Sequence, residues 1–150
     1  MKIYLGADHN GFHLKERLFA YLSKRGYSVE DVSGRSLDPT DDFPEFAQLA
    51  ALKVIGDDSD DARAILLCGS GQGMSIAANR FSGIRASVVW DAHEAKVARN
   101  DVDSNILCLP ARVLEKDEHE WKDIVETWLK TSFADAPRFR RRNAQIDEVM

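Results

Sequence analysis

The segment Leu66-Leu67-Cys68-Gly69-Ser70-Gly71-Gln72-Gly73-Met74-Ser75-Ile76-Ala77-Ala78-Asn79 puts a thiol and three alternating glycines between an apolar run and an alanine-rich stretch. Glycines let a backbone turn tightly and come close to a ligand. The helix predicted over about Gly73–Asn79 would aim its unpaired N–H groups and positive dipole end back at that loop, making an anion cradle. A thiol in the same field is favoured as thiolate, so Cys68 is a candidate base or nucleophile. A second chemically loaded segment, Asp8-His9-Asn10-Gly11, follows the first apolar run of the chain.

The glycine loop does not fit the common nucleotide signatures. A dinucleotide fingerprint reads G-x-G-x-x-G and usually follows the first strand. Here the glycines stand at 69, 71 and 73, with Met74 in the place of the third. No G-K-[ST] follows, which excludes a triphosphate P-loop. No C-x-x-C or H-x-x-x-H spacing points to a metal. A cradle for a phosphate or an enediolate, without a nucleotide, fits best.

The elements that must position these residues can be read from periodicity. Strands are predicted over Ile3–Gly6, Ser28–Val32, Ala64–Cys68, Arg85–Val89 and Asn105–Leu109. Between them, Leu14, Leu18, Tyr21 and Leu22 have helical spacing, and Phe46, Leu49, Ala50 and Lys53 nearly repeat it. A helix over about His93–Arg99 has Asp91 and Glu94 as a capping box. Trp121, Ile124, Val125, Trp128 and Leu129 mark a strongly amphipathic helix. An arginine-rich helix is expected from Pro137 towards Met150. This alternation predicts an α/β fold, a single-domain, Rossmann-like three-layer sandwich spanning residues 1–150. Its core is a five-stranded parallel sheet in the flavodoxin-like order 2-1-3-4-5, with helices on both faces. Ligands of such sheets bind beyond the carboxyl ends of the strands, where the order reverses. That rule brings Asp8, His9 and the Cys68 loop to one crevice. The polar Ser33–Asp42 loop is placed to border it.

Composition narrows the class. With 150 residues, 44% hydrophobic and 30% charged, the chain reads as an ordinary globular domain. A net charge of −5 argues against a general nucleic-acid or anionic-membrane binder. No apolar stretch approaches the ~20 residues of a membrane helix, and the N-terminus has no signal-peptide anatomy. Two cysteines, Cys68 and Cys108, imply no disulfide framework and a reducing, cytoplasmic setting.

The Cys68-Gly69-Ser70-Gly71 loop running into Ser75-Ile76-Ala77-Ala78-Asn79, together with Gly6-Ala7-Asp8-His9, resembles type B ribose-5-phosphate isomerases. The wider family includes galactose-6-phosphate isomerase subunits. The similarity extends through Gly83-Ile84-Arg85-Ala86, Ser104-Asn105-Ile106-Leu107 and the arginine-rich tail. It implies interconversion of aldose and ketose phosphates through a cis-enediolate, with no metal or organic cofactor. It implies Cys68 as the base that takes the C2 proton, and Asp8 as the group that orients or shuttles protons among the hydroxyls. The main-chain N–H groups around Gly69, Ser70, Gly71 and Gly73 would hold the oxyanion, and the Ser70 hydroxyl would contact substrate. His9, Arg112, Arg138 and Arg142 match phosphate-binding positions, partly across a subunit interface. A homodimer or homotetramer with shared sites is therefore implied, with a small sugar phosphate as ligand rather than nucleic acid or membrane.

One departure from the family pattern stands out. Where many members carry a His-Asn pair thought to open the furanose ring, this chain has Asp101 and Val102. A carboxylate is a weaker base than an imidazole, and a valine side chain forms no hydrogen bond. Three routes are open: Asp101 replaces the histidine, another group such as His93 acts, or the substrate needs no ring opening. A tetrose phosphate would be such a substrate, because its phosphate occupies the hydroxyl that would close the ring. Allose or galactose phosphate would suit the same chemistry, and a non-catalytic sugar-phosphate-binding module is the rival to turnover. Cys108, Trp121 and Trp128 read as core or interface, and His13 and His119 as solvated surface.

Overall fold

The computed structural model describes residues 1–148. The strands are β1 (Lys2–Ala7), β2 (Ser28–Asp31), β3 (Ala62–Cys68), β4 (Ala86–Val88) and β5 (Ile106–Pro110). The helices are α1 (Phe12–Lys24), α2 (Phe43–Gly56), α3 (Gln72–Ala78), α4 (Ala92–Asn100), α5 (Ala111–Leu114), α6 (Glu118–Lys130) and α7 (Pro137–Asp147). Each expected strand and helix is present within a few residues of its predicted span, and α5 is an additional short turn of helix. The expected helix towards Met150 ends at Asp147, and its last two residues lie outside the described region.

All strand pairings are parallel, and the sheet order is β2-β1-β3-β5-β4. The last two strands therefore exchange places relative to the expected 2-1-3-4-5. The reason lies in their composition. Every residue of β5, Ile-Leu-Cys-Leu-Pro, is buried, so it needs a cover on both faces and a partner on both edges. The three residues of β4 are only partly buried, which suits a sheet edge. β5 accordingly pairs with β3 from Ala64↔Ile106 to Cys68↔Pro110.

Strand alternation divides the core into two layers. Ile3, Leu5, Ile65, Leu67, Leu107 and Leu109 face α1, α4 and α6, against Leu14, Leu18, Trp121, Ile124 and Trp128. Tyr4, Ala64, Leu66, Cys68, Ile106 and Cys108 face α2 and α3, whose Ala47, Ala50, Ala51, Met74 and Ala78 are buried. The alanines of α2 bring its axis close to the sheet. Asp91 caps α4 by accepting from Glu94 N–H at 2.8 Å, as the sequence pattern predicts.

Candidate active site

Strand register sets the crevice. β1 and β3 run in step to Ala7↔Leu67, and β3 and β5 to Cys68↔Pro110. Asp8, Cys68 and the start of α5 are consequently neighbours at the carboxyl edge of the sheet. Asp8 N–H donates to the Leu67 carbonyl at 3.3 Å, and Arg112 N–H donates to the Gly69 carbonyl at 3.0 Å. Exchanging β4 for β5 beside β3 is what brings Arg112 to this loop.

Cys68 is the last residue of β3 and is 5% exposed. The chain reverses through Gly71, whose φ of 76° is a conformation that side-chain-bearing residues rarely adopt. That turn aims Gly71 N–H at Cys68 Sγ, 3.1 Å away. A donor at that distance stabilises negative charge on sulfur. A Cβ on Gly69 would lie 2.8 Å from Arg112 Nη2, so the missing side chain is what admits the guanidinium against the loop. The Phe43 ring, from the first turn of α2, occupies the space beside Gly73. Ser70 is exposed, and its Oγ accepts from Gln72 N–H at 3.3 Å.

Asp8 is 5% exposed and accepts from Asn10 N–H at 2.9 Å and from Gly11 N–H at 3.2 Å. Burial pushes its carboxyl above the ordinary range, and those two N–H groups pull it partly back. A carboxyl so placed takes up and returns a proton more readily than one in water. His9 turns instead to the Ser33–Asp42 loop, which does border the crevice. Asp41 Oδ1 accepts from His9 N–H at 2.9 Å and lies 2.8 Å from His9 Nδ1.

One chain thus gathers Cys68, Gly69, Ser70, Gly71, Gly73, Asp8, His9 and Arg112. The remaining expected residues lie elsewhere. α4 leaves the carboxyl end of β4 and returns to the amino end of β5, so Asp101, at its far end, is on the opposite edge of the sheet from Cys68. There Asp101 accepts from Asn100 Nδ2 at 2.8 Å, and the Val102 carbonyl accepts from Arg85 Nε at 2.9 Å. Arg138 and Arg142 are exposed on α7, and Arg138 lies 4.3 Å from the centroid of the Phe139 ring. No hydrogen bond or ion pair among the described residues links either arginine to the Cys68 loop. His93 is exposed in the first turn of α4, and the His13 and His119 side chains are solvated as expected.

Asp41 and Phe43 were not singled out by sequence reasoning. The acidic pair Asp41-Asp42 before Phe43-Pro44 marks a helix start. Residue 42 stands at the N-cap without a capping side-chain hydrogen bond, while residue 41 turns to His9.

Comparison with known proteins places this arrangement among sugar-phosphate enzymes. Residues 3–146 match the family model described as Ribose/Galactose Isomerase. Ribose-5-phosphate isomerase B of Escherichia coli (strain K12) is 41% identical over 132 residues, covering 88% of this chain and 85% of that protein. The structure of Clostridium thermocellum ribose-5-phosphate isomerase B superposes with a TM-score of 0.91 at 40% identity, covering 99% of this chain and 96% of that one. The Mycoplasma genitalium ribose-5-phosphate isomerase B structure, with bound ribulose-5-phosphate, gives a TM-score of 0.90 at 35% identity, with coverage of 97% and 93%.

Proposed function

The chain belongs to the ribose/galactose isomerase family, and we propose that it interconverts ribose 5-phosphate and ribulose 5-phosphate with Cys68 as the base. The observation that carries this reading is the juxtaposition of Cys68 and Asp8 at the ends of adjacent strands, with Gly71 N–H directed at the sulfur. In the forward direction the open-chain aldehyde carries a C2 hydrogen made weakly acidic by the C1 carbonyl. The Cys68 thiolate takes that proton, the C2–H electron pair forms the C1–C2 double bond, and the carbonyl electrons move onto O1. The result is a cis-enediolate.

Main-chain N–H groups around Gly69, Ser70 and Gly73 supply the donors for the oxyanion, Gly71 N–H being directed at the Cys68 sulfur. Such donors are typically worth about 3–4 kcal/mol each. Asp8, with its raised proton affinity, moves a proton from O2 to O1. The Cys68 thiol then returns the original proton to C1, giving the ketose and restoring the thiolate. No atoms are gained or lost.

Arg112 and His9 meet the phosphate from the same chain as Cys68. Arg138 and Arg142 reach it, and Asp101 reaches the sugar ring it would open, only if a second copy presents α7 and the end of α4 to this crevice, which is why a homodimer or larger assembly forms part of this reading.

The test is ribulose 5-phosphate formation from ribose 5-phosphate by wild type and Cys68→Ala at micromolar enzyme. Wild-type turnover and a loss of at least ~10²-fold in the variant are expected. A variant as active as wild type removes Cys68 as base. An inactive wild type that turns over tetrose, allose or galactose phosphate moves the substrate within the same chemistry. Sugar-phosphate binding with neither turnover of any of these substrates nor exchange of the C2 hydrogen into heavy water would identify a binding module.

A further inference from the structure

Asp41 contacts His9 twice through one oxygen. Oδ1 accepts the main-chain N–H of His9 at 2.9 Å and faces ring Nδ1 at 2.8 Å. A carboxylate oxygen can only accept, so Nδ1 must carry a hydrogen. The two contacts fix both the backbone and the ring of a single residue, leaving Nε2 as the nitrogen with no hydrogen bond among the described residues. The Asp41 side chain is 14% exposed and that of His9 36%, so the clamp is sheltered while the ring remains open to solvent.

This arrangement has a consequence for any anion that approaches Nε2. In the neutral ring Nδ1 holds the sole hydrogen, and Nε2 presents a lone pair that repels phosphate oxygens. Only the imidazolium presents Nε2–H while keeping Nδ1–H on Asp41. The surrounding charges favour that form. The ring's hydrogen bond to Asp41 is the chief cause that raises His9 above its ordinary value; desolvation, next in size, opposes it, and the charges of Asp8 and Asp41 add lesser help. Asp38, on the same loop, also feels the His9 charge, and its carboxyl is held low mainly by Thr40.

We propose that Asp41 is a positioning residue for substrate capture: by clamping His9 through its main-chain N–H and Nδ1, it reserves Nε2 for the substrate phosphate and makes capture depend on the imidazolium. This rests on the reading of His9 as a phosphate contact in a sugar-phosphate isomerase. The sign of the pH dependence follows. Imidazolium is present below the His9 pKa and lost above it, so KM rises as pH climbs through that value. The phosphate itself loses its second charge below about pH 6, which sets a separate acid limb common to all variants.

The test is Asp41→Asn in the full-length protein. Asparagine keeps an oxygen for the His9 N–H and removes the charge that favours the imidazolium. Two readouts are taken: the titration of the His9 ring by NMR, assigned with His9→Gln, and the pH profiles of KM and kcat. The expected result is a lower His9 midpoint in Asp41→Asn, with the alkaline rise in KM moving down the pH scale by the same amount. At a pH between the two midpoints, KM rises by up to roughly 10-fold, the worth of a charge-assisted hydrogen bond, while kcat stays within about twofold. Asp41→Glu, which restores the charge, should recover part of the shift.

An unchanged His9 midpoint overturns the proposal, because Asp41 then has no hold on the ring's charge. A lowered midpoint with a stationary KM profile also overturns it, since His9 would not meet the phosphate. Inactivity of wild type on every sugar phosphate would instead defeat the functional reading. In that case the His9 midpoint with and without inorganic phosphate still decides: a rise with phosphate in wild type that is weakened in Asp41→Asn supports the proposal, and no rise refutes it.

Discussion

The two cysteines lie on adjacent strands and meet different environments because of where each strand ends. Cys108 sits inside β5, and full burial pushes its thiol well above the ordinary range, so it remains a small neutral core residue. Cys68 is the last residue of β3, where the Gly71 N–H reaches its sulfur. A second pair shows how local hydrogen bonds become a pH dependence of stability. Tyr4 Oη donates to Asp57 Oδ2 at 2.6 Å, which with burial raises Tyr4 from 10.0 to about 12. Asp57 is lowered from 3.8 to about 2, first by Ser59 and then by Tyr4. The raised tyrosine stabilises the fold below pH 10, and that contribution is lost as pH rises through 12. The depressed aspartate stabilises it above pH 3.8, and its contribution is lost as pH falls through 2. The urea-midpoint difference between wild type and Tyr4→Phe should therefore be greatest near neutrality and shrink towards both extremes. A difference that is constant from pH 3 to pH 11 would show that the phenol and carboxylate are not coupled to folding. The Cys68 context was legible in the sequence because glycine spacing is a local signal. The Tyr4–Asp57 contact was not, since 53 residues separate its partners and only the return of β3 alongside β1 joins them.

At the scale of elements, the β1 end that carries Asp8 is held by a buried cation. Lys15, on the first turns of α1, is fully buried, and its Nζ lies 2.7 Å from Asp31 Oδ2. It also donates to Ser33 Oγ at 3.3 Å and to the Gly34 carbonyl. Ser33 Oγ in turn accepts from Ala7 N–H at 3.1 Å, one residue before Asp8. One ammonium group thus ties α1, the end of β2 and the end of β1 together behind the crevice. Lys15→Met should cost about 3–5 kcal/mol, because it leaves the Asp31 carboxylate buried without its counter-ion. Lys15→Met combined with Asp31→Leu should cost less than the single change, read as the urea midpoint at constant slope. A double variant as unstable as the sum of the singles would make the two side chains independent. Periodicity revealed α1 through Leu14, Leu18, Tyr21 and Leu22 but carried no sign that Lys15, among them, is buried. The same limit explains the strand order. Alternating β and α segments establish a parallel sheet. Which of β4 and β5 is central depends on burial of both faces, a property that the apolar Ile106–Pro110 run carried but that the default topology outweighed.

The whole molecule leaves its expected site divided. Arg112 and His9 lie with Cys68, while Arg138 and Arg142 project from α7, and Asp101 occupies the opposite edge of the sheet. Exposed apolar side chains on α2 and α3, with Leu52 at 55%, Ile55 at 50% and Ile76 at 68% exposure, offer a face that a second copy would cover. If α7 of one protomer completes the crevice of another, each site takes Cys68 from one chain and its distal arginines from the other. That arrangement has a distinctive consequence. Cys68→Ala alone and Arg138→Ala with Arg142→Ala should both be severely impaired at substrate levels below KM, the first through kcat and the second mainly through KM. Mixing the two variants and allowing subunits to exchange creates heterodimers in which one site holds both defects and the other holds neither. At equal ratios and random pairing, about half of the dimers are mixed, so about a quarter of wild-type activity should return. The recovery should follow subunit exchange in time and disappear when either variant is crosslinked as a homodimer beforehand. Failure of any activity to return after demonstrated exchange would assign both halves of the site to a single chain. α7 would then have to close over its own Cys68 loop, a rearrangement that moves Asp147 away from Arg85, now 3.3 Å apart.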